Sequence, residues 1–169
     1  MVVSSDILLK GTAWSIVIDT FSNIFKTRTN YSIYLLALSI GVVYDQRIEK
    51  LEEAGDDVRN VPRNVIANND GGMLDYLFGA AILSTTTEDF AEERRLELAF
   101  GDKNTDFNKI AFLTQFANFG VTKLMELIGD TDEESMENIK NFLARTFEGE
   151  NFDIDDIPDD YILDDIDLA

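Results

Sequence analysis

Carboxylates are the side chains of this sequence most able to do chemistry, and holding a metal through oxygen is the chemistry they first suggest. Two stretches open like a calcium loop, one at Asp130 and one at Asp153. An EF-hand loop needs glycine at its sixth position for a sharp turn and a bidentate glutamate at its twelfth. The first stretch offers Ser135 and Asn141 there, and the second has Pro158 at its sixth position, so neither is predicted to bind calcium. There is no histidine and no cysteine. That removes disulfides, zinc sites built from those ligands, thiol nucleophiles and every scheme with an imidazole base. Neither GxxxxGK[ST] nor GxGxxG occurs, and no lysine has an acid two positions before it, which excludes a P-loop and the carboxylate-x-lysine end of many nuclease sites. An enzyme would have to work through a metal held by carboxylates alone. No catalytic residue, cofactor or metal site is predicted.

Basic residues are few. Lys26 and Arg28 lie beside Tyr31 and Tyr34, and would form a four-residue patch if the fold brought Arg59 and Arg63 to them. Against that stands a formal charge of -19, from 33 acids and 14 bases. A protein that binds nucleic acid must neutralise phosphates, so direct nucleic-acid binding is not expected. Nine acids and no bases fall in the last twenty residues, which leaves -10 for residues 1–149. Threaded among those last acids are Phe152, Ile154, Ile157, Tyr161, Ile162, Leu163, Ile166 and Leu168. A purely solvating tail needs no such side chains. Pro158 suits the first position of a short helix, and Asp159 and Asp160 suit its first turn. So short a helix is marginal alone in water, and the eight apolar residues are predicted to dock, with the acids meeting a basic rim. The expected host is a basic or apolar groove of a larger protein partner; a groove on the chain's own domain is the alternative.

The elements that must present these residues are predicted helices. TAWSIVIDTFSNIF, 12–25, reads as the first, and Thr29 or Asn30 caps the next, whose Ile33, Leu36, Ala37 and Ile40 follow a three-four rhythm. That second helix is apolar almost all round and should sit centrally. Residues 46–63 read as a charged surface connector with one helical turn over 46–54, and VIANNDGG, 65–72, continues the break, its Asn, Asp and paired glycines favouring turns and left-handed backbone. A further helix places Leu74, Leu77, Phe78, Ala81 and Ile82 on one face. Thr87 opens another that runs from Glu88 to Phe100, with Phe90, Leu96, Ala99 and Phe100 inward and Gly101 as its stop. The clearest spans 105–129, capped by Thr105 or Asp106, with a stripe through Phe107, Ile110, Ala111, Leu113, Ala117, Val121, Leu124 and Ile128. Its Gly120 is read as a site of close helix packing. Thr131 opens the last helix, DEESMENIKNFLARTF. The expected architecture is therefore all-α, a single domain of five or six helices over residues 1–148 with an acidic tail over 149–169. No signal peptide is read at the start, and the longest apolar run, 31–44, is 14 residues where a spanning helix needs about 20. A cytoplasmic protein without a membrane span is expected.

In their order, FKTR, LALSIGVVYD, VPRNVIANND, LDYLFGAAILS, EERRLELAF and FLTQFANFGVTKLMEL resemble a family of small helical proteins of bacterial DNA-phosphorothioation (Dnd) defence loci, over residues 20–128. Ala37 and Gly41 match an A-x-x-x-G helix of that family; Phe116, Ala117, Asn118 and Gly120 match its YANGG helix, with Phe119 in place of a glycine. The resemblance implies a non-enzymatic accessory or scaffold subunit of an anti-phage or restriction-type complex, beside a larger ATPase or nuclease. It carries no catalytic role to any residue. The alternative is an acidic inhibitor that mimics DNA and blocks a nucleic-acid-binding enzyme. A mimic spreads its acids over the folded body, whereas the body acids here cluster at 52–57, 88–97 and 130–137, in loops and first helical turns.

Overall fold

The computed structural model of the protein describes residues 3–25, 29–51, 57–85, 90–101 and 107–147. In chain order these form β1 (Ile7–Lys10), α1 (Thr12–Ile24), α2 (Asn30–Val43), β2 (Val58–Val61), α3 (Arg63–Asn69), α4 (Met73–Ser84), α5 (Glu92–Phe100), α6 (Lys109–Glu126) and α7 (Asp132–Phe147). The fold is mostly helical, as the periodicities predict. Seven helices occur among the described residues rather than five or six, and β1 and β2 pair as an antiparallel ribbon that the all-α expectation lacked.

The centre is the crossing of α2 on α6. α2 is apolar on nearly every side, and it buries Tyr31, Ile33, Tyr34, Ala37, Leu38 and Ile40. Facing it, α6 buries Phe112, Leu113, Phe116, Ala117, Val121 and Leu124. The two backbones touch where small residues allow it. A Cβ on Gly120 would fall inside the Ala37 carbonyl, and one on Gly41 inside the Phe116 carbonyl. The close packing read at Gly120 is thus present, and it is reciprocal. Trp14, Val17 and Phe21 of α1 close one side of this core, and Leu9 and Val61 of the ribbon contribute to it.

Several local expectations change. The break at 65–72 contains α3: the Pro62 carbonyl accepts from Val65 and Ile66, which starts a turn, and the Asn69 side chain donates back to Val65. The predicted left-handed turn follows at once, with φ of 55° at Gly71 and 94° at Gly72. Asp70 spans it, accepting from Gly72 at 3.1 Å and Leu74 at 2.8 Å. On α5 the fully buried residue is Leu98, while Leu96 and Phe100 are exposed, because the helix touches the body mainly through its α4 side. α6 starts later than read: Asn108 caps it, accepting from the Ala111 N–H at 3.0 Å. Ala111 is exposed, and Phe112 and Phe116 take the inward positions given to it. The suggested caps Thr87, Thr105 and Asp106 lie outside the described residues. Thr131 does open α7, its hydroxyl accepting from the Glu134 N–H at 3.1 Å.

Two tyrosines on α2 tie the core to alkaline stability. The Tyr34 hydroxyl meets that of Thr114 at 3.2 Å, and burial pushes its pKa up to about 12, with that hydrogen bond pulling the other way. Tyr31 donates to Asp70 at 2.6 Å and is raised well above its ordinary value by burial first and by Asp70 second. Both phenols hold their protons more tightly folded than unfolded. Their contribution is full below about pH 10, the unfolded value; that of Tyr34 is lost as pH rises through about 12, and that of Tyr31 at still higher pH. The urea midpoint is expected to fall steeply across that window, and less steeply in Tyr34→Phe. An identical fall in both proteins would show that Tyr34 is not a source.

Candidate partner-binding surface

A polar strap shapes the face beside α6. Asn118, buried in α6, accepts from the Trp14 indole at 3.0 Å and donates to the Ile48 carbonyl at 3.1 Å. Ile48 returns with its own N–H, given to the Gln115 carbonyl at 3.0 Å. Next to it the Arg47 guanidinium lies over Phe112 and Phe116, at 5.2 and 5.6 Å from the ring centres. Residues 46–48 are therefore strapped across α6 instead of forming the free surface connector that their charge suggested, and they carry no helical turn. An amide at position 118 can serve a donor and an acceptor from distant segments at once, which no apolar side chain could do.

Beyond the strap opens a cleft of about 950 Å³, between the chain's first described residues and the start of α6. Asp6, Leu8 and Lys10 line it from β1 and the residue before it, Phe107 and Ile110 from the start of α6 and its approach, and Glu49 lines it too. Lys109, also in the lining, rests its ammonium 4.6 Å from the centre of the Phe78 ring. Sequence reasoning missed this cleft because it missed the ribbon. ILLK does not alternate, and its Leu8 is an apolar residue that points out. Only Gly11 and Pro62, the residues that follow the two strands, hinted at short strands there.

A second feature lies on α4 and α5, which pack together. Met73, Tyr76 and Leu83 follow one side of α4 at spacings of three and seven, and all are exposed. Leu96 and Phe100, four apart on α5, are exposed as well. Tyr76 is 72 % accessible and Phe100 74 %. Five large apolar residues are thus exposed on one packed helix pair, and Tyr, Phe and Met are the types enriched where proteins meet.

Of the predicted basic patch, Arg59 and Arg63 are engaged internally. Arg59 gives one guanidinium nitrogen to both Asp19 oxygens, at 3.0 and 2.7 Å. Arg63 donates its N–H to Asp6 at 2.9 Å, and its guanidinium reaches the Ser4 carbonyl at 3.4 Å. Their suggested neighbours Lys26 and Arg28 lie outside the described residues, as do all eight apolar tail residues from Phe152 to Leu168. Acids gather where helices begin: Glu92 and Glu93 on α5, and Asp132, Glu133 and Glu134 on α7. Glu134 also accepts from the Asp130 N–H at 2.9 Å. Such acids complement the helix dipole. Among the described residues no three carboxylates converge on one point, and no helix is long and apolar enough to cross a membrane. Compared with known proteins, the chain matches no protein-family model, no curated protein and no solved structure.

Proposed function

We propose that this chain is a non-enzymatic accessory subunit that docks on a larger protein. The exposed apolar residues of α4 and α5 carry the reading, because Tyr76 and Phe100 leave most of their surface in water and would bury it in a complex. The tail supplies the second contact through Phe152, Ile154, Ile157, Tyr161, Ile162, Leu163, Ile166 and Leu168, against a basic or apolar groove. The resemblance to Dnd-locus proteins gives the setting, a bacterial anti-phage or restriction-type complex whose large subunit is an ATPase or nuclease. The residues of that resemblance have a packing role here: Ala37, Gly41, Phe116 and Gly120 form the α2–α6 crossing, and Asn118 holds the strap. They fit a scaffold and add no chemistry. Acids placed at helix starts weigh against the DNA-mimic alternative, since the helices themselves account for them.

The test is affinity capture from the native host, at low salt, with four forms of the chain. The native form should retain one partner at fixed stoichiometry. Tyr76→Ser with Phe100→Ser should weaken capture by at least about tenfold, the scale of a single hot-spot residue. Tyr161→Ser, Ile162→Ser and Ile166→Ser together should abolish the tail's contribution, and so should removal of residues 150–169, with unfolding midpoints unchanged. A chain that stays monodisperse and recovers nothing in any form would sink the proposal.

A further inference from the structure

Resting on that accessory-subunit reading, the backbone of β1 says how part of the partner would bind. The register pairs Ile7 with Val61, Leu8 with Asn60, Leu9 with Arg59 and Lys10 with Val58. One step further, the Gly11 N–H donates to the Asp57 carbonyl at 3.2 Å. Bonded and non-bonded pairs alternate along an antiparallel ladder. Ile7, Leu9 and Gly11 therefore turn their backbone groups toward β2, and Leu8 and Lys10 turn theirs away. β2 obeys the same parity, since the outward Asn60 carbonyl accepts from the Asn30 side chain at 3.0 Å. The first residue of α2 thus covers the far edge of β2. Among the described residues, the far edge of β1 has no strand beside it. It borders the cleft, whose lining includes Asp6, Ile7, Leu8 and Lys10 and no residue of β2.

We infer that the free edge of β1 takes an extended segment of the partner as a third strand, and that this segment alternates apolar and basic residues. Main-chain bonds to Leu8 and Lys10 would supply affinity, and side-chain contacts would supply selectivity. Phe107 and Ile110 offer an apolar wall to one side of an added strand. Asp6, Glu49 and Asp75 in the lining lie among Lys10, Lys109 and the Arg63 guanidinium held at Ser4, so the charge that selects the occupant is that of the chain as a whole, -19. That field attracts a cationic segment and repels the chain's own tail with its nine acids. A second copy would bring the same charge and its own α6 against this wall. Lys10 on a four-residue edge also guards against self-pairing.

The experiment uses the full chain and two capped peptides of alternating valine and a charged residue, one with lysine and one with glutamate. Amide hydrogen exchange at Leu8 and Lys10 is the readout. The lysine peptide should slow both amides by on the order of tenfold or more, and the glutamate peptide should not. Leu8→Pro removes an outward N–H and leaves the β1–β2 ladder whole, so it should abolish the protection at Lys10 without moving the unfolding midpoint. Lys10→Pro, read at Leu8, serves if that variant misfolds, and Leu8→Ala should bind normally. Unchanged exchange with the lysine peptide overturns the inference. So does faster exchange on removing residues 150–169, which would name the tail as occupant, or a dimer that Leu8→Pro dissociates. A captured partner that binds Leu8→Pro with native affinity refutes the strand site and leaves the accessory-subunit reading standing; lysine-peptide protection without any captured partner does the reverse.

Discussion

Gly120→Ala is expected to destabilise the protein by about 3 kcal/mol or more, the upper range for overpacking a core. On an isolated helix the same change would add about 1 kcal/mol of stability through helix propensity. Here the new methyl group meets the Ala37 carbonyl, which is backbone, so no side-chain rotation can make room. The only relief is to separate α2 from α6 along their main contact. Gly41→Ala should behave alike, because its methyl group would meet the Phe116 carbonyl. With a total stability of roughly 5–15 kcal/mol for a typical domain, either change is a large fraction. Urea unfolding of both variants checks this. A midpoint equal to or above the native one would mean that the crossing is looser than its geometry implies.

Asn118→Ala should cost about 2–4 kcal/mol, because it strands one buried and one half-buried group, where a buried group left unpaired costs about 1–3. The Trp14 indole N–H loses its acceptor and the Ile48 carbonyl its donor. The effect has an optical signature, since Trp14 is the one tryptophan in the sequence and is fully buried. Its emission should shift to the red in the folded variant as water enters, and the amides of residues 46–48 should exchange faster as the strap loosens. Native emission together with native stability would remove Asn118 from its place as the fastener of that segment.

The parts of this fold that could be read ahead are those governed by local rules. α2 and α6 followed from periodicity, the left-handed turn from Asp70, Gly71 and Gly72, and the start of α7 from Thr131. Strands of four residues carry too little periodicity to be seen, and outward Leu8 hides what little there is. Leu98 was passed over in favour of Leu96 and Phe100 because a nine-residue helix with so few apolar positions fits several rotations equally well. Asn118 stood in plain view beside Gly120, but its partners are 104 and 70 residues away in the chain. Only the folded topology assembles them. The candidate surface divides in the same way, with apolar tail residues visible by composition and the cleft and the exposed apolar residues of α4 and α5 visible only in three dimensions.

The α2–α6 crossing has a consequence for how the protein is made. α2 ends at Val43, and its principal packing partner begins only at Lys109, 66 residues later. At about 5–20 residues per second of synthesis, a helix that is apolar on nearly every side waits roughly 3–13 seconds before α6 is available to cover it. During that interval the nascent chain presents a sticky segment that neither the ribbon nor α1 can shield alone. The protein is therefore expected to lean on chaperones that hold nascent chains, and to lose soluble yield when translation is slowed between residues 44 and 109 and not when it is slowed after residue 126.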